Sequence, residues 1–272
     1  MCIDCGCSAV ATAKTEQDHQ NHGAHHDHDH HGHDHHDDPF HHGHSHDHLH
    51  HSHEISVGQA ILAKNNHLAD HNRQYFRELG LLVINVLSSP GSGKTTLIQH
   101  TINELKGSLQ AGVVVGDLAT DNDAQRLLST GAPVHQISTG TVCHLEADMV
   151  KKAADRLPLK QLDLLIIENV GNLVCPAAYD LGEDLRIVLL SVTEGEDKPL
   201  KYPTMFKSAD VVILTKMDLA EAVEFDRNTA IANIKKVVPT ASILELSARK
   251  QMAMEPWLNY LKTKTKELIA PL

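Results

Sequence analysis

A short loop between an apolar run and a helical pattern constrains this chain more than any other feature. The run 81–87 is too short for a buried helix and is rich in β-branched residues, so it predicts a buried parallel strand. The loop 88–95 follows directly with the sequence Ser-Ser-Pro-Gly-Ser-Gly-Lys-Thr, and a helical pattern begins behind it. The loop matches the pattern G-x-x-x-x-G-K-[ST], except that Ser88 replaces the first glycine. A strand, this loop and a helix in that order predict a P-loop in an α/β domain.

Strand and helix patterns alternate along the rest of the chain. From Ile55, apolar residues recur at spacings of roughly three and four as far as Gly80, which predicts a helix in front of the first strand. Further strands are expected at 112–116, 134–137, 163–167, 186–191, 210–214 and 242–246, with the clearest helices at 95–106, 145–155, 225–237 and 252–268. This alternation predicts a mostly parallel, doubly wound sheet that binds its ligands at the carboxyl ends of the strands.

The first 54 residues differ in composition from the rest. Residues 19–53 contain 18 of the 23 histidines, mixed with Asp, Gly and Ser. Such a stretch cannot bury enough apolar surface to offset the entropy of ordering, so residues 9–54 are expected to be disordered. Pairs of its imidazoles can chelate Ni²⁺, Zn²⁺ or Cu²⁺ reversibly. We therefore expect three regions: a cysteine motif at 1–8, a metal-binding histidine tract at 9–54 and one domain at 55–272.

Net charge and hydropathy exclude two classes of partner. The formal net charge of −11 argues against nucleic acid, which would favour a basic surface. No apolar run approaches the length of a membrane span, and no basic-then-apolar leader opens the sequence. The chain is therefore expected to be cytoplasmic, where cysteines are thiols or metal ligands rather than disulfides.

The P-loop residues are suited to a nucleoside triphosphate. Gly91 and Gly93 allow backbone N–H groups to close around phosphate oxygens, Lys94 reaches the β- and γ-phosphates, and Thr95 binds Mg²⁺. The expected phosphate-binding set is Gly91, Ser92, Gly93, Lys94, Thr95 and Thr96.

Acidic residues follow two of the predicted strands. Glu168 ends an apolar run, where a Walker-B carboxylate would lie beside Mg²⁺, and Gly171 stands three residues further on. Asp117, Asp121 and Asp123 follow another strand and could hold Mg²⁺ or orient the attacking water, although one of them could instead cap a helix. The expected catalytic residues are Lys94, Asp117, Asp123 and Glu168, and the expected Mg²⁺ ligands are Thr95, Asp117 and Glu168.

Two later loops indicate guanine. Residues 215–218, Thr-Lys-Met-Asp, are similar to the N-K-x-D motif, in which the Asp carboxylate accepts two hydrogen bonds from guanine. Lys216 and Asp218 match, whereas Thr215 replaces the Asn that braces the loop. Ser247 and Ala248 are similar to a second loop that contacts guanine O6. These loops predict GTP and GDP as ligands.

The five cysteines suggest two sites for a soft metal. Cys2, Cys5 and Cys7 provide three thiols within six residues, which suits square-planar Ni²⁺ and tetrahedral Zn²⁺ equally. Cys143 and His144 follow the third strand, and Cys175 lies seven residues beyond Glu168. A metal bound there would respond to the nucleotide state.

Several of these strings together resemble the HypB family, the GTPases that insert nickel into [NiFe] hydrogenase. The resemblance rests on Cys2-x-x-Cys5-Gly6-Cys7, the histidine tract, the loop 87–96, Cys143-His144-Leu145, and the stretches 168–176 and 192–203. It implies a SIMIBI-type P-loop NTPase with slow GTP hydrolysis and nucleotide-dependent homodimerisation. It further implies a metal site of Cys143, His144 and Cys175 at the dimer interface, with the N-terminal thiols forming a separate nickel site. The implied partners are a HypA-type zinc-containing nickel chaperone and the large-subunit precursor of the hydrogenase.

Two alternatives remain open at the level of sequence. One is a related metallochaperone GTPase that serves urease or a cobalamin enzyme. The other is a nickel or zinc storage protein with a vestigial or regulatory nucleotide site. Intact Lys94, Thr95, Glu168 and Asp218 argue against the second.

Overall fold

The computed structural model describes residues 48–117, 122–140 and 142–269, with side chains from residue 58 onward and without that of Asp117. Cys2, Cys5, Cys7, the histidine side chains of the tract 19–53, and Asp121 therefore lie outside the described residues. The expectations for these positions stay predictions.

The described residues form one seven-stranded sheet in which all neighbouring strands are parallel, in the order β3-β2-β4-β1-β5-β6-β7. The strands are β1 (Leu82–Ser88), β2 (Ala111–Asp117), β3 (Val134–Ser138), β4 (Leu164–Glu168), β5 (Leu185–Ser191), β6 (Val211–Thr215) and β7 (Ser242–Glu245). Because β1 lies at the centre and the P-loop leaves its carboxyl end, the site is placed in the middle of that sheet edge. The predicted α/β fold with a parallel, doubly wound sheet is confirmed.

Eight α-helices lie within the described residues. They are α1 (His48–Glu78), α2 (Lys94–Leu105), α3 (Asn122–Leu128), α4 (Ala147–Ala154), α5 (Lys198–Lys201), α6 (Pro203–Lys207), α7 (Arg227–Val237) and α8 (Glu255–Ile269). Short 3-10 turns occur at Leu159–Gln161, Cys175–Ala178, Val192–Glu194 and Met217–Leu219. Helix α1 begins at His48, so the expected boundary at residue 55 falls inside a helix. None of the described helices has the length and apolar character that crossing a membrane requires.

The helices cover both faces of the sheet. Leu82, Ile84 and Val86 of β1 belong to a buried cluster that includes residues of α2 and α8. In that cluster the indole of Trp257 donates a hydrogen bond of 2.9 Å to the Thr101 hydroxyl, which satisfies both buried polar groups. The intervening side chains of β1 pack with α1, α4, α6 and α7 on the opposite face. Because the side chains of β1 are buried alternately against the helices on the two faces, the strand is held in one orientation. The direction in which the loop leaves its carboxyl end is fixed in the same way.

Helix α1 is held to the domain by two buried asparagines. The side-chain carbonyl of Asn65 accepts from the Ala147 amide at 2.9 Å. The Asn72 amide donates to the carbonyls of Ala147 at 2.8 Å and Leu181 at 3.1 Å. Gly182 allows this close approach, since a Cβ there would lie 2.5 Å from the Asn72 Cβ. Helix α1 therefore ties together the segments that follow Cys143 and Cys175.

Candidate functional site

The P-loop has a glycine conformation that leaves room for an anion. Gly91 and Gly93 have φ values of +75° and +99°, a region that L side chains rarely adopt. A Cβ at either position would have no atom within 4 Å, so the space in front of the loop is open. Gly93 is also the N-cap of α2, whose first amides point out of the helix end. The amides at a helix N-terminus and the positive end of the helix dipole favour an anion such as phosphate at this position.

Lys94 is buried against the loop itself. Its Nζ donates to the Ser88 hydroxyl at 3.1 Å, and Ser88 in turn donates to the Ser89 carbonyl at 2.7 Å. Ser88, fully buried at the end of β1, therefore gives the lysine an acceptor where a first glycine would give none. The ammonium group is held beside the open space in front of the loop.

Thr95 and Glu168 provide a donor set that fits Mg²⁺. The Thr95 hydroxyl donates to Glu168 Oε1 at 2.7 Å, while the buried Glu168 Oε2 has no hydrogen-bond partner among the described residues. Burial raises the pKa of the Glu168 carboxyl to about 7, partly offset by the hydrogen bond from Thr95 and the charge of Lys94. An orphaned carboxylate oxygen beside a hydroxyl matches the oxygen ligands that Mg²⁺ prefers. Asp117, the third expected ligand, ends β2, and its side chain lies outside the described residues.

These groups line a common cleft of about 410 Å³. Its walls include the expected residues Gly91, Gly93, Lys94, Thr95, Thr96, Asp123 and Glu168. Asp123 lies on α3, with its carboxylate 3.7 Å from Arg126. Arg126, which the sequence did not single out, also donates to the Thr96 hydroxyl at 3.0 Å. The cleft thus has a second cation besides Lys94 to attract a polyphosphate.

The loop after Glu168 packs directly on the P-loop. A Cβ at Gly171 would lie 3.0 Å from the Cα of Pro90, so only glycine fits without moving one of the two backbones. The two loops are therefore in close backbone contact.

Glu194 holds the P-loop from the β5 side, a role the sequence did not reveal. Its carboxylate accepts from Ser89 Oγ at 2.5 Å and Ser92 Oγ at 2.6 Å. It also accepts from the Ser191 amide at 3.2 Å, as part of a capping box at the end of β5. In the sequence, Glu194 is marked only by a Ser-x-x-Glu capping pattern after a strand. That pattern predicts a local helix cap, but it does not predict contacts with P-loop serines 102 and 105 residues away.

The loop after β6 braces the P-loop through its first two residues. The buried Thr215 hydroxyl donates to the Ser92 carbonyl at 2.8 Å. Lys216, with a φ of +59°, donates from Nζ to the Gly91 carbonyl at 2.8 Å. Thr215 therefore performs the bracing role that the sequence analysis assigned to the missing Asn.

The two expected base-contacting loops lie side by side. The Met217 amide donates to the Leu246 carbonyl at 3.2 Å, which joins the loop after β6 to that after β7. Asp218 is exposed, whereas Ser247 and Ala248 are buried. An exposed carboxylate next to a P-loop brace is available to accept hydrogen bonds from a base.

Cys143 and Cys175 meet outside this cleft. Their sulfur atoms lie 2.9 Å apart, with Cys175 in the turn Cys175–Ala178. His144 instead stacks on Tyr179, with ring centroids 3.9 Å apart, and its Nε2 is 3.7 Å from Glu146, beyond hydrogen-bond distance. Both of its ring nitrogens are buried without a hydrogen-bond partner in the described part of the chain, and burial lowers its pKa.

One chain alone does not assemble the expected three-ligand set. No three His, Cys, Asp or Glu side chains among the described residues are grouped closely enough to hold a metal. The structure brings the two thiols together and keeps the imidazole of His144 on the Tyr179 ring.

A polar chain of side chains connects the nucleotide cleft with Tyr179, the residue on which His144 stacks. Asn169, next to Glu168, donates to Asn85 Oδ1 at 3.1 Å, and Asn85 donates to Glu183 Oε1 at 3.1 Å. Arg186 donates to the same Glu183 oxygen at 2.6 Å and to the Tyr179 carbonyl at 2.7 Å. The buried polar chain, Asn169–Asn85–Glu183–Arg186, thus ends on the residue that stacks against His144.

Comparison with known proteins agrees with this geometry. The family profile described as CobW/HypB/UreG, nucleotide-binding domain, matches residues 82–245. The hydrogenase maturation factor HypB of Escherichia coli K12 is 51% identical over 203 residues, or 75% of this chain and 70% of that protein. The hydrogenase/urease maturation factor HypB of Helicobacter pylori is 44% identical over 218 residues, covering 79% of this chain and 89% of that protein.

A solved structure extends the similarity to three dimensions. The crystal structure of HypB from Helicobacter pylori in complex with nickel superimposes with a TM-score of 0.72 at 45% identity, covering 75% of this chain and 96% of that one. With a family profile that matches residues 82–245 and a relative that is 51% identical over 75% of the chain, this chain belongs to the HypB family.

Proposed function

We propose that this protein is a GTP-hydrolysing nickel metallochaperone that delivers nickel to the large-subunit precursor of [NiFe] hydrogenase. GTP-dependent dimerisation gates nickel binding at Cys143, His144 and Cys175. The observation that carries the proposal is the thiol pair, with sulfurs 2.9 Å apart, because one of its members, Cys175, lies on the segment that leaves the nucleotide cleft at Glu168. The similarity to hydrogenase maturation factors, one of which has been crystallised in complex with nickel, supports the cargo and the client.

The ligand chemistry supports nickel at this pair. Thiolates are soft ligands that select Ni, Zn or Cu over Mg or Ca. Burial lowers the pKa of His144, which favours the neutral imidazole, the form that can donate a lone pair. Two chains that met at these residues would supply up to four thiolates and two imidazoles. Because one chain does not bring all three expected ligands together, the structure supports a nickel site that is completed only in a homodimer.

The cleft supports hydrolysis by charge stabilisation. Lys94 and the P-loop amides would bind the β- and γ-phosphates, and Arg126 adds a third source of positive charge. Bound Mg²⁺, held by Thr95 and Glu168, would neutralise charge on the phosphate oxygens. None of the described residues lining the cleft is a glutamine that could orient water, which supports slow intrinsic turnover. Asp218 would accept the two guanine hydrogen bonds.

The contacts between the two sites support coupling. Gly171 packs on the P-loop at Pro90, and Cys175 follows four residues later. The buried polar chain gives a second connection, from Asn169 to Tyr179. A γ-phosphate that shifts the loop after Glu168 would therefore shift one thiol of the pair.

Nickel titration in two nucleotide states tests the gating. The full chain would carry Cys2, Cys5 and Cys7 changed to Ser, so that sulfur-to-nickel charge-transfer absorption reports only Cys143 and Cys175. Nickel affinity is expected to differ between GDP and a non-hydrolysable GTP analogue by about 5- to 150-fold. By linkage, nickel must change GTP affinity by the same factor.

Cys175→Ala is expected to remove this coupling while GTP still binds, because the thiol does not line the cleft. Val174→Ala, at the exposed neighbouring position, is the matched control and should retain it. Equal nickel affinities in both nucleotide states would contradict gating and leave the two cysteines as ordinary thiols.

A transfer assay tests the client and the partner. Nickel-loaded protein would be mixed with purified hydrogenase large-subunit precursor or with urease apoprotein, with and without GTP and a HypA-type zinc-containing chaperone. We expect GTP-dependent transfer to the hydrogenase precursor, accelerated by the chaperone. Nickel transfer to the urease apoprotein alone would show that the client is urease, as the similarity to a hydrogenase/urease maturation factor of Helicobacter pylori also allows. Nickel that stays bound in every state would indicate a storage protein.

A further inference from the structure

Helix α1 carries a pair of histidines that the function above does not use. His67 and His71 are one helical turn apart and both exposed. Their Nε2 atoms lie 3.2 Å apart, and the rings meet edge to face with centroids separated by 4.5 Å. Two histidines at this spacing on one helix face are a recurring arrangement for binding one metal ion.

The separation of the two nitrogens matches the geometry of a chelate. Transition metals bind imidazole nitrogen at about 2.0–2.1 Å. Two bonds of that length to atoms 3.2 Å apart enclose an angle of about 100° at the metal. This value falls between the right angle of square-planar or octahedral coordination and the tetrahedral angle. An ion could therefore bind both imidazoles without a change in the helix.

We propose that His67 and His71 form a separate surface site for one divalent first-row cation, Ni²⁺, Zn²⁺ or Cu²⁺. Imidazole suits these ions, whereas Mg²⁺ and Ca²⁺ prefer oxygen. The neighbouring carboxylate of Asp70 is paired with Arg73 at 2.8 Å and is not part of the pair. Two protein ligands and open solvent make this a readily exchanging site, with water completing the coordination.

The pair lies opposite the contacts that hold α1 to the segment after Cys143. Asn65 and Asn72, which bracket the two histidines on the buried face, bond to Ala147, four residues after Cys143. The pair therefore lies on the outer face of the helical turns whose inner face holds a cysteine-bearing segment. The inference does not depend on the nucleotide or on delivery, because it rests only on the geometry of α1.

Residue-resolved chemical protection tests the site in the full-length protein. Diethyl pyrocarbonate modifies accessible imidazoles, and a bound metal blocks the nitrogen that reacts. Trypsin cleavage after Lys64 and Arg73 releases residues 65–73, which contain His67 and His71 and no other histidine. Residues 95–106 carry His100 alone and serve as the internal control for a single imidazole.

With nickel in excess over all 23 histidines, modification of peptide 65–73 should fall severalfold relative to EDTA, while peptide 95–106 should change little. Zn²⁺ should protect in the same way and Mg²⁺ should not. In His71→Ala, modification of His67 should become insensitive to nickel, because one exposed imidazole holds an ion far more weakly than a chelating pair. Asn66→Ala, an exposed neighbour on the same turn, should keep the protection.

Three results would overturn the proposal: no protection in the native chain, equal protection of His100, or full protection of His67 in His71→Ala. A helical circular dichroism spectrum and unchanged GTP hydrolysis in His71→Ala would show that the variant is folded. Failure of nickel gating at the thiol pair would leave these expectations unchanged, so the two inferences fail separately.

Discussion

Replacement of the buried Glu168 should make the free energy of unfolding less dependent on pH. Burial raises the pKa of Glu168 from 4.5 to about 7. Each unit corresponds to about 1.36 kcal/mol, so the ionised carboxylate costs about 3 kcal/mol of folding free energy at high pH. The sign follows from proton uptake: between these two pKa values the folded state binds more protons than the unfolded state. Stability is therefore lost as pH rises through this window.

The size of the effect between two convenient pH values can be worked out. With pKa values of 4.5 in the unfolded chain and about 7 in the fold, this group lowers the free energy of unfolding by about 2.5 kcal/mol between pH 5 and pH 8. In Glu168→Gln the group no longer ionises, so this loss disappears. The amide also places an N–H₂ group where Oε2 has no partner, which costs about 1–3 kcal/mol at every pH and therefore does not affect the pH dependence.

Urea unfolding of both proteins in EDTA at pH 5 and pH 8 measures the difference. The free energy of unfolding of Glu168→Gln relative to the native protein should rise by about 2.5 kcal/mol between the two pH values. GTP hydrolysis should fall sharply in the variant, because the amide is a poor ligand for Mg²⁺. A difference between the two proteins that does not change with pH would refute the assignment of the raised pKa to Glu168.

Three further predictions concern the nucleotide. Lys94→Ala should abolish GTP hydrolysis, measured as phosphate release, since Arg126 contacts Thr96 rather than the loop interior; normal turnover would reject the P-loop assignment. Asp218→Asn should let xanthosine triphosphate compete in a GTP-binding assay, and equal affinity of the native protein for ATP would rule out guanine selection. Glu194→Ala removes the two hydrogen bonds from P-loop serines to its carboxylate, each about 1.5–3 kcal/mol, and should weaken GTP binding by more than about tenfold in calorimetry. Glu221→Ala, at an exposed position, is its control. An unchanged GTP affinity in Glu194→Ala would show that the Glu194 carboxylate does not organise the P-loop.

The strands were predictable because buried parallel strands appear in sequence as continuous apolar runs. Each of the seven expected runs became a strand of the sheet, with no end shifted by more than one residue. The short helices α5 and α6 were not predicted, since four or five residues carry no helical period and each begins beside a proline. The start of α1 was also missed, because residues 48–54 have too few apolar residues to show a helical period in the sequence.

The site was predictable where a local motif determines the chemistry. The cleft gathers Lys94, Thr95 and Glu168 as their motifs indicated. Glu194 and the stacking of His144 on Tyr179 could not be predicted, since each depends on segments that meet only in the folded sheet. The thiol pair lies between these two cases. Cys143 and Cys175 could be identified from the sequence, but the short distance between their sulfur atoms could not be predicted.

The close approach at Gly182 has a consequence for how this chain can vary. A side chain there is excluded twice, once by a φ of +88° and once by a Cβ that would lie 2.6 Å from the Ala69 carbonyl oxygen. The two penalties have separate origins, so a compensating change in α1 that relieved the crowding would still leave the strained backbone. In a saturation library selected for folding, position 182 should therefore retain glycine alone, while the exposed positions of α1 should tolerate most amino acids.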